Sequence, residues 1–421
     1  MTNSSKIWIL GGAFIVIAPL SISGTATANL KWARLLTTVA ACYIAFVNSN
    51  LPERQQGAKS LMKFSILFTL AALWCSNAVV MGLVNKGMYL FASMTGLAMS
   101  YCISSGKEML RKLTLLGYTG GASSVSLAYM FMTNKEESIV GDRLAVAGMN
   151  ANTIGQSGAP LFLLSLYLLF KPGTKLQKGI HLASSIMLLA VILGTGSRGA
   201  VLMAVLGSVF ILKPILKKNF MAAFIVLLIP IIVLQMYSSI QSDEEAVVPG
   251  IERLNVEDKR NTRKDMWIWT WRHFTQSPMI GKGWLNWGGT SSANTHNIYL
   301  HVLAECGVIG GFLFLAMLFN IFNVYRNGVA EMKAGMDPHD LTYFSAGILA
   351  SMLLHGMVES STLLGTSTNA LFLGFSVGLL DRSTTLDNEK GGAIPEKNDD
   401  HLHPWAFQRN QSPIQMKSDS N

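Results

Sequence analysis

Charge is scarce in this sequence: Asp, Glu, Lys and Arg make up 14% of 421 residues, whereas half are hydrophobic. A soluble domain carries about a quarter of its residues as charges, so this balance argues against a water-soluble fold. Cysteine is nearly absent. Cys42, Cys75, Cys102 and Cys306 all fall inside apolar stretches, so neither a disulfide nor a zinc site is indicated. No P-loop, Asp-x-Asp pair or zinc signature offers a metal-based chemistry. There is no tandem repeat, and no polar segment is long enough to fold as a soluble domain of its own.

What is present comes in blocks. A helix rises 1.5 Å per residue, so about 20 apolar residues cross a hydrocarbon core of roughly 30 Å. Twelve such blocks begin near Ile7, Ala33, Phe64, Met88, Leu113, Thr153, Ile180, Gly199, Asn219, Ile298, Leu341 and Leu364. The expected fold is therefore an all-α polytopic membrane protein of about twelve transmembrane helices. Residues 1–381 would form one helical domain, with outer loops at 133–152 and 237–296, the long one between helices nine and ten. Residues 382–421 are polar and read as a disordered cytoplasmic tail.

Positive charge tests the topology, because cytoplasmic loops concentrate Lys and Arg. With the N-terminus inside, the short inner loops carry about fourteen basic residues. The short outer loops hold about six, namely Lys31, Arg34, Lys86, Lys135, Arg143 and Arg198. The net charge of +9 follows from this bias and a basic tail, and calls for membrane lipids rather than nucleic acid as a partner. The first apolar stretch lacks a convincing cleavage site and reads as a retained anchor.

Chemistry-bearing residues gather on the outer side. Arg198 lies in Gly194-Thr195-Gly196-Ser197-Arg198-Gly199-Ala200, between the seventh and eighth spans. Its plain reading is a boundary anchor, but flanking glycines open room for a ligand to approach the backbone. Arg263 opens a helical-looking stretch, Lys264–Phe274, in which Trp267 and Trp271 share a face at i, i+4 spacing. Such a helix could lie on the membrane surface. Arg143 precedes Gly148 and Asn152. His296 stands at the mouth of the tenth span, where a neutral imidazole could take a proton from a hydroxyl. His301 and Glu305 are one turn apart and could pair. His296 and His301 are five apart and face differently, which argues against a metal site. Outer arginines with a histidine at the membrane surface suit a lipid-linked phosphate or diphosphate, whose oxygens a guanidinium grips in pairs.

At these residues the sequence resembles the O-antigen ligase and O-antigen polymerase superfamily of membrane glycosyltransferases. Three runs carry the resemblance: Thr195-Gly196-Ser197-Arg198-Gly199-Ala200; Arg263-x-x-x-Trp267 with Pro278-x-x-Gly281-x-Gly283; and His296-Asn297-x-x-Leu300-x-x-x-x-Glu305-x-Gly307-x-x-Gly310. Arg143, Gly148 and Asn152 form a softer fourth match. The resemblance implies a metal-independent, inverting transferase at the periplasmic face of the bacterial inner membrane, with no cofactor. Its donor would be an undecaprenyl-diphosphate-linked oligosaccharide or polysaccharide. Its acceptor would be lipid A-core for a ligase, slightly favoured, or a lipid-linked repeat unit for a polymerase. By the same resemblance Arg198 and Arg263 hold the diphosphate, His296 serves as general base or orients the acceptor, and Arg143 and Asn152 bind substrate. Glu305 either orients His296 or pairs inside the bundle. The interval from Arg263 to His296, about thirty residues, is short for a ligase. A secondary transporter remains the alternative from another class, although its long loop would be expected on the cytoplasmic side.

Overall fold

The computed structural model describes residues 6, 8–13, 56–71, 73, 79–101, 106–133, 144, 151–218, 262–283, 295–333, 341–359 and 368–383. Ten helices account for nearly all of them: α1 (Gln56–Leu70), α2 (Val79–Tyr101), α3 (Gly106–Thr133), α4 (Ala151–Leu169), α5 (Lys175–Gly194), α6 (Arg198–Lys218), α7 (Thr262–Gln276), α8 (Ile298–Lys333), α9 (Leu341–Gly356) and α10 (Thr368–Ser383). Among the described residues there is no strand. Two helical segments, Lys175–Gly194 and Ile298–Ala330, have the length and hydropathy of membrane spans; Leu341–Gly356 and Thr368–Asp381 are apolar but shorter. The architecture is that of a helical membrane protein. The expected blocks near Ala33 and Asn219 lie outside the described residues, as does the tail beyond Ser383, so the count of twelve is not established by these helices.

Local signals explain where the helices begin. α5 follows Pro172-Gly173, and Thr174 caps it: the threonine hydroxyl accepts from the Gln177 amide at 3.2 Å while the Gln177 side chain accepts from the Thr174 amide at 2.9 Å. α3 ends at Thr133 and α4 begins at Ala151, which brackets the expected shorter outer loop. Within the expected long loop, α7 forms where the tryptophan-bearing stretch predicts a helix.

Packing depends on small residues, because lipid supplies no hydrophobic drive between helices. α2 and α10 meet most extensively, and their backbones touch. A Cβ on Gly96 would overlap the Leu371 carbonyl, and one on Gly374 would overlap the Ser93 carbonyl. At the end of α10, Asp381 accepts from the Gly57 and Ala58 amides at 3.2 and 2.6 Å, capping the start of α1. An aromatic cluster of Phe64, Phe68, Tyr89 and Phe314 fills the junction of α1, α2 and α8.

One placement differs from the sequence expectation. Lys86, counted above among the outer-loop charges, lies within α2 and is 3% exposed. It is ion-paired to Glu305 of α8. Hydropathy averaged over a window cannot distinguish a loop lysine from one that a carboxylate on another helix neutralises.

Candidate active site

The site is assembled from four short junctions. The first is the turn from α5 into α6. Gly196 adopts a left-handed backbone (φ 58°), and Ser197 caps α6 by accepting from the Ala200 amide at 3.4 Å. Arg198 is therefore the first helical residue and is exposed. Its guanidinium charge adds to the positive end of the α6 dipole, so two sources of positive potential coincide. α4 packs on this turn through Gly155, where a Cβ would strike Thr195 and Ala200. The Leu144 amide donates to the Gly194 carbonyl at 2.9 Å, bringing the shorter loop to the same place. Asn152 stands in the first turn of α4, half-buried. Arg143 lies outside the described residues.

The second junction opens α8. Asn297 caps the helix, its side-chain oxygen accepting from the Tyr299 and Leu300 amides at 3.0 and 3.1 Å. His296, just before this cap, has φ 47°, the one left-handed residue other than glycine among those described. Such a backbone costs a non-glycine residue of order 1–3 kcal/mol and persists where its surroundings hold it. One of those surroundings is Glu359, whose carboxylate lies 3.1 Å from His296 Nδ1.

Glu359 belongs to the third junction, the end of α9. The helix closes there through amides of Val358 and Glu359 that both donate to the His355 carbonyl at 2.9 Å. This turn leaves the Glu359 side chain buried against His296. A carboxylate accepting from Nδ1–H fixes the imidazole tautomer and leaves the lone pair on Nε2. His355 connects the junctions. Gly199, next to Arg198, packs so closely on its ring that a Cβ would overlap Nε2. Glu359 follows His355 by one turn at the same helix end, its amide bonded to the His355 carbonyl. Arg263 is exposed on the first turn of α7.

The fourth junction joins the segment after α7 to a break in α8. Gly307 has φ 64° and ψ −163°, which interrupts the helix. The amides and carbonyls freed by the break are satisfied from Pro278–Gly283. Val308 donates to the Pro278 carbonyl at 2.8 Å, while Lys282 and Gly283 donate to the carbonyls of Ala304 and Glu305 at 2.8 and 3.0 Å. Gly281 and Gly307 face each other's backbones, and a side chain at either would overlap main-chain atoms. The glycines of two separate sequence runs are thus two halves of one contact.

Of the residues singled out from sequence, His296 meets Glu359, and Arg198 lies next to Gly199, which packs on His355 one turn before Glu359; Arg263 stands exposed on the first turn of α7. Glu305 is not the carboxylate at His296. It is buried, pairs with Lys86 and lies 3.0 Å from His301 Nε2. Two residues escaped the sequence reading, Glu359 and His355, and Lys86 was read there as a loop charge rather than the partner of Glu305. Glu359 carried a weak signal, as an acid at the end of the apolar run Leu341–Gly356. Its partner, however, is 63 residues away.

The described helices carry a polar cluster of charged and imidazole groups at their ends. Residues 183–315 match the family model for O-antigen ligase, which supports the O-antigen ligase superfamily for this chain and with it a ligase- or polymerase-type role in polysaccharide biosynthesis. The match contains Arg198, Arg263, His296 and Glu305, and leaves Asn152, His355 and Glu359 outside its bounds. No curated protein matches the sequence.

Proposed function

We propose that this protein is a glycosyltransferase of about twelve spans, working at the periplasmic face of the inner membrane. It transfers a glycan from undecaprenyl diphosphate to an acceptor hydroxyl. The observation that carries this reading is the His296–Glu359 pair at 3.1 Å, set at the mouth of α8, with His355 of the same helix end packed against Gly199 at the positive start of α6.

In this reading the acceptor oxygen attacks the anomeric carbon and passes its proton to His296 Nε2. The bond from that carbon to the diphosphate oxygen breaks, inverting the configuration. Glu359 stabilises the imidazolium that forms, as the buried carboxylate of a triad does. Arg198 and Arg263 take up the negative charge that develops on the leaving diphosphate, aided by the α6 dipole. Guanidinium groups supply that charge stabilisation, so the transfer needs no metal and should persist in a chelator. Lipid A-core is the acceptor slightly favoured. The short interval between Arg263 and His296 favours the second reading, polymerisation onto a lipid-linked repeat unit.

The test replaces the chromosomal gene with variants and follows surface glycans by gel and lipid-linked intermediates by mass spectrometry. His296→Ala should lower transfer by about 10²- to 10⁴-fold, the usual weight of a general base, at normal membrane levels. Polymerised glycan stranded on undecaprenyl diphosphate identifies a ligase, and lipid A-core bearing one repeat unit identifies a polymerase. Near-normal transfer by His296→Ala removes the proposed base.

A further inference from the structure

The buried charges on α2 and α8 have no task in the reading above. Lys86 and Glu305 form an ion pair whose side chains are 3% and 1% exposed. The Lys86 ammonium also lies 3.2 Å over the Phe68 ring. His301 Nε2 approaches the other Glu305 oxygen at 3.0 Å, and His301 Nδ1 approaches the Thr295 hydroxyl at 3.5 Å. Thr295 is fully buried; its hydroxyl donates to the Asn297 carbonyl at 3.0 Å and accepts from the Asn297 amide at 3.4 Å. Between Thr295 and Asn297 stands His296 in its left-handed conformation.

Ionisable side chains inside an apolar span are expensive and persist where they are partnered and useful. This set is continuous, from α2 through α8 to the residue before His296. We propose that Lys86 is a positioning residue for His296: the contacts Lys86–Glu305–His301–Thr295 brace the turn that aims the imidazole. The proposal rests on His296 being the base. Glu359 holds the ring from one side, and Asn297 holds the helix below it. Thr295, anchored through His301, supplies the hold from the other side that a left-handed residue requires. Glu305 also accepts from the Gly283 amide through its carbonyl, so the same residue ties the segment after α7 to the site.

The test uses the full chain purified in detergent. Lys86→Met alone leaves a buried carboxylate short of a partner and could fail to fold. The decisive variant is therefore the double Lys86→Met/Glu305→Gln, which is neutral and close in volume. Two properties are read. One is the rate at which diethyl pyrocarbonate modifies His296, followed by peptide mass spectrometry with the half-buried His273 of α7 as the internal control. The other is the division of any transfer defect between kcat and donor KM.

Positioning predicts that His296 modification changes several-fold while His273 modification does not. It also predicts that kcat falls by about tenfold or more with donor KM held within about twofold. An unchanged His296 modification rate overturns the proposal whatever the activity, and so does a rise in KM at constant kcat. If His296→Ala retains transfer, the catalytic reading fails separately, and the modification rates still decide whether Lys86 braces the turn.

Discussion

His296 has two unusual properties at once, a left-handed backbone and a buried carboxylate at Nδ1. Either can be a structural detail. Together at a helix mouth they resemble a group held in one orientation for proton transfer. Glu359→Gln separates the two contributions of the carboxylate, because the amide keeps a hydrogen bond but not the charge, and can stabilise the wrong tautomer. Its kcat should fall by roughly tenfold or more while the folded amount is unchanged. Purified enzyme with a lipid-linked donor gives that ratio, and wild-type kcat in the Gln variant would remove Glu359 from the mechanism. Arg198 and Arg263 make a matching case. Lysine keeps the charge and loses the planar fork, so Arg198→Lys and Arg263→Lys should each retain only a minor fraction of activity. Full activity in both would leave no role for bidentate phosphate contacts.

At the scale of elements, the break in α8 depends on two glycines that no side chain can replace. Gly307→Ala puts a methyl group on a left-handed residue and against the Met279 carbonyl. The strain alone is worth of order 1–3 kcal/mol, so thermal unfolding in detergent should shift down and Gly281→Ala should behave alike. The segment after α7 has a pH-dependent contact as well. His273 Nδ1 lies 3.3 Å from the Lys282 ammonium and its ring stacks edge-on with Trp269. Burial first, and the Lys282 charge second, hold this imidazole below its ordinary value of 6.5. A depressed histidine binds fewer protons folded than unfolded, so the stability it contributes is fully present above about 6.5 and declines as pH falls below it. Amide protection factors across residues 262–283, corrected for the intrinsic pH dependence of exchange, should fall between neutral pH and pH 5 in the wild type, and less so in His273→Gln.

For the whole molecule, close helix contact adds to the apolar core in setting stability. Gly96 and Gly374 allow the α2 and α10 backbones to touch, and α10 in turn caps α1 through Asp381. Gly374→Leu should therefore force these helices apart and reduce the amount of protein recovered from membranes, whereas Leu202→Ala, at an exposed apolar position on α6, should not. Equal recovery of both variants would show that the α2–α10 contact is dispensable. Exposed Trp267, Ile268 and Trp271 on α7 add an apolar face beside the site, of the kind expected at a membrane surface.

Much was legible in the sequence because it depends on local repetition. Helix class and the α7 helix follow from apolar runs, turn residues and caps, each read within about twenty positions. The glycine-rich runs around Arg198, Gly281 and Gly307 stood out for the same reason, since a left-handed or crowded backbone leaves a local mark. Pairing across the bundle left none. That Glu359 and not Glu305 meets His296, that His355 lies against Gly199, and that Lys86 is buried on α2 each depend on which helices become neighbours. Charge in a membrane is tolerated by partner and not by position, and partners separated by tens or hundreds of residues are chosen when the helices pack.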